Sequence, residues 1–229
     1  GRAGSPGNHG RPGSRGLQMK LAQKKEQIGY VVVFTFAVCM VFVVVLAIAN
    51  QVTAARVEAN KRYAAHYAVL KAFGLAQAST PRSDVEKLYS ERIEELPDRE
   101  GRPAAYSAEI DGLPYIGVRM TGPGLWGSIT AILAADPAAE RIRGLEVLDQ
   151  QETPGLGGRI GEPWFAEQFA GEKVGADGRV AVVQGSGKGD PDKENSIVDA
   201  VTGASRTSDF MAALVASALA EIRSVGGAK

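Results

Sequence analysis

The sequence predicts an α+β domain carried behind a single N-terminal transmembrane helix. Three observations predict it: an uncharged apolar run from Ile28 to Ala49, short alternating segments between Tyr106 and Leu148 that read as strands, and helical patterns on both sides of them. With 229 residues, 45% of them apolar and 23% charged, the chain can supply one anchor and one domain with a closed core.

Composition also excludes function classes. Net formal charge is zero and the basic residues form no aromatic-interleaved patch, so the footprint of a nucleic-acid binder is missing. Cys39 is the only cysteine and lies inside the apolar run. Without a CxxC the chain cannot ligate an iron–sulfur cluster with its own thiolates, nor close an internal disulfide. His9 and His66 are far apart and read as ordinary surface residues, so no metal site is expected.

The elements follow in order. Residues 1–18 are rich in Gly, Pro, Arg and Ser and read as unable to form a core, and Met19 is a candidate start residue. Residues 1–27 are thus expected to form a disordered cytoplasmic tail. Residues 28–49 hold 22 residues without a charge. As a helix they span about 33 Å at ~1.5 Å per residue, the thickness of a bilayer core. Ala47-Ile48-Ala49 has the form of a signal cleavage site, but the run is longer than the ~7–15 residues of a signal h-region, which favours a retained anchor. Lys20, Lys24 and Lys25 before the run, against Arg56, Lys61 and Arg62 diluted by Glu58 after it, favour a cytoplasmic N-terminus. Residues 50–229 are then an extracytoplasmic domain.

Within that domain a helix is expected from Asn50 to Phe73, ended by Gly74. A second runs from Ser83 to Leu96, with Ser83 and Glu86 as a capping box. Tyr106 to Met120 reads as a hairpin turning at Asp111-Gly112. Ser128–Ala135, Ile142–Leu148 and Arg179–Gln184 are further strands. Helical patterns return at Trp164–Phe169 and from Ser208 onward.

Two glycine-rich segments carry candidate chemistry. In Glu152-Thr153-Pro154-Gly155-Leu156-Gly157-Gly158, proline sets one backbone angle and the glycines permit positive ones. Such a loop presents amides to a ligand, or simply makes a tight connection after a strand. In Asp199-Ala200-Val201-Thr202-Gly203-Ala204-Ser205-Arg206-Thr207-Ser208, small residues precede a helix start. Free amides and the helix dipole suit a phosphate there. The same residues also suit a hydroxyl-rich cap with no ligand, Ser208 capping. Gly185-Ser186-Gly187-Lys188-Gly189 lacks Walker A spacing and reads as a solvated loop, and no Gly-x-Gly-x-x-Gly is placed for a nicotinamide cofactor.

The second segment resembles the Asp-x-x-[Ser/Thr]-Gly-Ala-[Thr/Ser] acceptor of FMN-binding domains, and Glu152 to Gly157 is identical to their Glu-Thr-Pro-Gly-Leu-Gly loop. Gly124-Leu125-Trp126-Gly127, Pro163-Trp164-Phe165 and the anchor with its amphipathic helix match in the same order. Within that family the likeness is to the NqrC subunits of the sodium-translocating NADH:quinone reductases, and the RnfG subunits of the Rnf electron-transport complexes are near relatives. Gly-Leu-Trp and Tyr89 to Ile93 favour the former.

The resemblance implies an electron-transfer subunit of an ion-translocating complex that holds FMN covalently, its phosphate esterified to Ser205 by a flavin transferase. Ser205 stands where the family more often has threonine, and serine keeps the required hydroxyl. It further implies Glu152, Thr153, Gly155, Leu156, Gly157, Leu125 and Trp126 along the ring, and Thr202, Gly203, Ala204 and Thr207 near the phosphate. Asp199 would be read by the transferase or support the turn. The partners implied are other membrane subunits: electrons enter from an iron–sulfur or flavin partner and leave to a membrane flavin subunit. No catalytic residue and no turnover by the isolated chain are expected. The place implied is the inner membrane, with the main domain periplasmic. The alternatives are the Rnf-type subunit and a structural module without flavin.

Overall fold

The computed structural model describes residues 14–97, 99 and 101–227, with side chains from Gln27 onward. The chain divides into two units, 1–58 and 59–229. The expected disorder of residues 1–13 lies outside the described residues. For residues 14–27 the expectation is corrected, because helix α1 spans Ser14–Ala72. Leu17 to Lys25 are good helix formers, and lengthening an existing helix requires no new nucleus.

In the first unit the large apolar side chains of α1 are exposed on every side from Ile28 to Val52. A helix without a polar face is suited to lipid rather than to water. Its length and composition are consistent with a membrane anchor.

The second unit is built on an antiparallel five-stranded sheet: β1 (Glu94–Glu95), β2 (Ala105–Ile110), β3 (Leu113–Pro123), β4 (Ser128–Ala135) and β5 (Ile142–Asp149), in spatial order β1-β2-β3-β4-β5. Asp111 (φ 55°) and Gly112 (φ 76°) both take positive φ between β2 and β3, as a two-residue type I′ hairpin requires. Strand β4, between β3 and β5, is buried on both faces. Ile132 and Ala134 pack with the end of α1 and with α2 (Arg82–Arg92), while Ile129, Ala131, Leu133 and Ala135 pack with the C-terminal helix α4 (Ser205–Gly226).

The end of α1 docks closely. A Cβ on Gly117 of β3 would lie 2.6 Å from the Phe73 ring, so glycine is what lets this ring approach the strand so closely. Gly74, at φ 70°, closes the helix as expected. Its N–H donates to the Lys71 carbonyl and the Leu75 N–H to the Leu70 carbonyl, a Schellman pair. Helix α2 holds against α1 through His66, which stacks on Tyr89 at 3.8 Å and meets the Glu86 carboxylate at 3.0 Å.

Several expectations are corrected here. The Ser83 capping box does not form: Pro81 is the N-cap, so Ser83 already lies inside the helix and its hydroxyl bonds Asp84. Helix α2 stops at Arg92, because Glu94-Glu95 pair with β2 as a strand. A 3-10 turn (Gly157–Gly161) and α3 (Pro163–Glu167) follow β5. The strand expected over 179–184 is β6 (Ala181–Val183), and it pairs in parallel with β7 (Ile197–Asp199). Three residues are too few to show a period, which is why β7 escaped the sequence pattern. Helix α4 begins at Ser205 rather than near Ser208.

Candidate functional site

Three loops supply the site. The first joins β3 to β4 through Gly124-Leu125-Trp126-Gly127, where the Gly124 N–H donates to the Gly127 carbonyl at 2.6 Å. So tight a tip turns its side chains outward: Leu125 is 51% and Trp126 70% exposed. The second follows β5. Leu156 and Gly158 N–H both donate to the Thr153 carbonyl, Gly155 turns at φ 75°, and Leu156 is left 46% exposed. The third is the turn into α4. The Ala204 N–H donates to the Val201 carbonyl, Gly203 stands at φ 79°, and Ser205 is the first helical residue.

Glu152 joins all three. This buried carboxylate accepts from the Leu125 N–H (2.7 Å) and Trp126 N–H (3.1 Å) through Oε1, and from the Thr207 hydroxyl through Oε2. Leu156 completes the junction, its Cδ2 lying 3.4 Å from the point where a Cβ on Gly203 would be. The structure therefore brings together the expected residues of all three segments.

It divides them into two kinds, however. Thr153, Gly155, Leu156, Leu125, Trp126, Thr202, Gly203 and Ser205 are exposed, whereas Glu152, Gly157, Ala204 and Thr207 are buried. Ser208 does not act as the N-cap. Ala204 holds that position, and the Ser208 hydroxyl donates back to the Ala204 carbonyl and accepts from the Val201 N–H.

Asp199 also turns inward. Its carboxylate accepts from the Ser186 hydroxyl (2.8 Å) and the Gly187 and Gly189 amides (2.9 and 3.3 Å), so loop 185–189 wraps around it. This loop is no free solvated segment: a Cβ on Gly187 would come within 2.9 Å of the Thr202 hydroxyl. Gln168, which no sequence motif singles out, is buried and braces the same strand end. It accepts from the Asp199 N–H and donates to the Asp199 carbonyl. Its partner is 31 residues away, a distance no local pattern encodes.

The chemistry suits a phosphate bearing a flat apolar ring. The first amides of α4 have no intrahelical partner, Ala204 supplies no side-chain cap, and the Ser205 hydroxyl is exposed beside them. Leu125, Trp126 and Leu156 are exposed apolar side chains on the two loops that Glu152 ties to this turn. FMN fits this donor set.

Residues 124–220 match the FMN-binding domain family. The NqrC subunit of the Na(+)-translocating NADH-quinone reductase of Neisseria meningitidis is 43% identical over 90 residues, covering 39% of this chain and 34% of the relative. Its counterpart in Vibrio anguillarum is 31% identical over 99 residues, covering 43% and 39%. The chain resembles NqrC. It spans about a third of the length of the curated relatives it matches. The crystal structure of NqrC from Parabacteroides distasonis superposes with a TM-score of 0.57 at 25% identity, over 72% of this chain and 90% of that one. NqrC from Shewanella oneidensis, at 18% identity and a TM-score of 0.62 over 75% and 100%, shares the fold. The expected likeness and the expected α+β domain behind a long apolar helix are thus both borne out. The matched segment begins at the Leu125-Trp126 tip and runs through most of α4, so it contains all three loops.

Proposed function

We propose that this chain is a membrane-anchored electron-transfer subunit of an ion-translocating NADH:quinone reductase, with FMN joined through its phosphate to Ser205. The observation that carries this reading is the junction at Glu152. It sets an exposed hydroxyl at a helix N-terminus next to an exposed surface of Leu125, Trp126 and Leu156.

Ser205 Oγ is the attachment atom. The Ser205 Oγ–phosphorus bond would form as the phosphoanhydride of a flavin dinucleotide breaks, the nucleoside monophosphate leaving with the serine proton, a transfer assigned to a separate flavin transferase. Thr202, Gly203 and the first amides of α4 would hold the phosphate oxygens. Thr153, Gly155, Leu156, Leu125 and Trp126 would lie along the ring and supply its apolar contacts. Bound FMN supplies reversible one- and two-electron redox chemistry, and the protein supplies position and electrostatics.

A tether of this kind suits an extracytoplasmic domain, where a dissociated cofactor would be lost. The partners are other membrane subunits, an iron–sulfur or flavin donor and a membrane flavin acceptor. The orientation follows the basic residues before the apolar run: N-terminus cytoplasmic, domain on the far side of the inner membrane.

The test is intact-mass analysis of the membrane-purified protein, with peptide mapping and Ser205→Ala as control. An FMN-sized addition on the Ser205 peptide, absent from Ser205→Ala, is expected. An unmodified peptide in cells with an active flavin transferase would refute the covalent attachment.

A further inference from the structure

Glu152 is buried where a cofactor-contacting carboxylate would be exposed. Both of its oxygens are taken up by donors from two other loops: the Leu125 and Trp126 amides at Oε1 and the Thr207 hydroxyl at Oε2. Its own N–H is held by Gln150 Oε1 at 2.6 Å. The surrounding glycines make room for the carboxylate. A Cβ on Gly124 would lie 2.5 Å from Oε1, and one on Gly157 would lie 2.7 Å from Oε2 and 2.5 Å from the Thr207 hydroxyl. Two glycines of the matched segment are thus accounted for by a protein carboxylate and leave no gap for a ligand.

Thr207 lies two residues beyond Ser205 on the first turn of α4, and the amides at the far side of Glu152 belong to the apolar tip. We infer that Glu152 and Thr207 are positioning residues that touch no cofactor: together they fix the attachment atom relative to the Leu125, Trp126 and Leu156 surface. A flavin tied to Ser205 is therefore held in one posture and does not swing on its ester. This inference rests on the proposed attachment of FMN to Ser205.

The experiment uses the full chain co-expressed with a flavin transferase, as wild type, Thr207→Val, Thr207→Ser and Glu152→Gln. Intact mass reads occupancy, visible circular dichroism of the attached flavin reads its posture, and amide exchange at Leu125 and Trp126 reads the lock itself. Exchange is also measured in the Ser205→Ala background, where no flavin contributes.

Thr207→Val is expected to keep occupancy within about twofold of wild type, while the dichroic band falls by at least about half and exchange at the tip rises about tenfold, the scale of one lost charge-assisted hydrogen bond. Thr207→Ser restores both, and Glu152→Gln, which keeps the volume, falls between. A Thr207→Val protein with attached flavin and an unchanged dichroic band overturns the inference alone. So does one that folds normally yet takes up less than a tenth of the flavin, since the pair would then govern attachment and not posture. A wild-type protein without flavin overturns the attachment reading and this inference with it.

Discussion

At the residue scale, buried polar groups decide most of what is distinctive. Glu172 is fully buried, and neither carboxylate oxygen has a hydrogen-bond partner among the described residues. Burial raises its pKa above the ordinary glutamate value, and the Lys193 ammonium and the nearby Ser196 and Ile197 amides oppose this only in part. A carboxyl whose pKa is raised on folding favours the fold below the unfolded pKa of about 4.3 and loses that contribution as pH rises through the folded value. Glu172→Gln keeps the volume and removes the charge that burial opposes, so it is expected to stabilise the domain at pH 7. Urea titrations at pH 7 and pH 4 check this, with the difference shrinking towards pH 4. Asp199 is the opposite case, a buried carboxylate whose partners are all present. Asp199→Ala leaves the Gly187 and Gly189 amides unpaired, and loop 185–189 is then expected to become the first site of limited proteolysis while wild type resists.

The same scale shows where local pattern ran out. Glu152 was expected along the ring, and its Pro-Gly neighbourhood supports that idea. Its hydrogen-bond partners within the protein lie 26, 27 and 55 residues away, and burial is a property of the assembled fold. Ser205 was legible because its setting is local: small residues, then a helix start.

At the element scale, α4 is the helix on which one core depends. Met211, Leu219 and Ile222 are fully buried against the sheet, each contributing about 1.5–3 kcal/mol. Leu219→Ala is expected to cost about 2–5 kcal/mol in unfolding free energy, because the rigid sheet cannot collapse into the gap. The β2–β3 turn gives a second element prediction. Gly112 at φ 76° strains any β-branched replacement, so Gly112→Val should lower the melting temperature although its side chain would meet nothing within 4 Å.

Elements with a full period were legible: β4 matches its expected span, and the hairpin turns where Asp-Gly marks it. Boundaries governed by a neighbour were not. Helix α2 stops at Arg92 because β2 recruits Glu94 and Glu95, and α4 starts early because Ala204, without a capping side chain, already ends the preceding turn.

At the scale of the whole molecule, the two units differ in the solvent they suit. Residues 28–49 expose apolar side chains on every side, whereas the domain from Ala59 onward buries its own on both faces of one sheet. A chain starting near Asn50 is accordingly expected to be soluble without detergent and to keep the domain's cooperative unfolding transition, while the full chain stays with membranes through alkaline extraction. A domain that aggregates on removal of the run would count against this division.

The sequence by itself determined the apolar run, the strand and helix periods, and the two glycine-rich segments, because each is written in residues close together along the chain. The tertiary structure alone decided which of those residues face solvent and which are braces. Glu152, Asp199, Gln168 and Thr207 are turned inward by hydrogen-bond partners that only folding brings within about 3 Å, and no spacing along a single chain can encode that proximity.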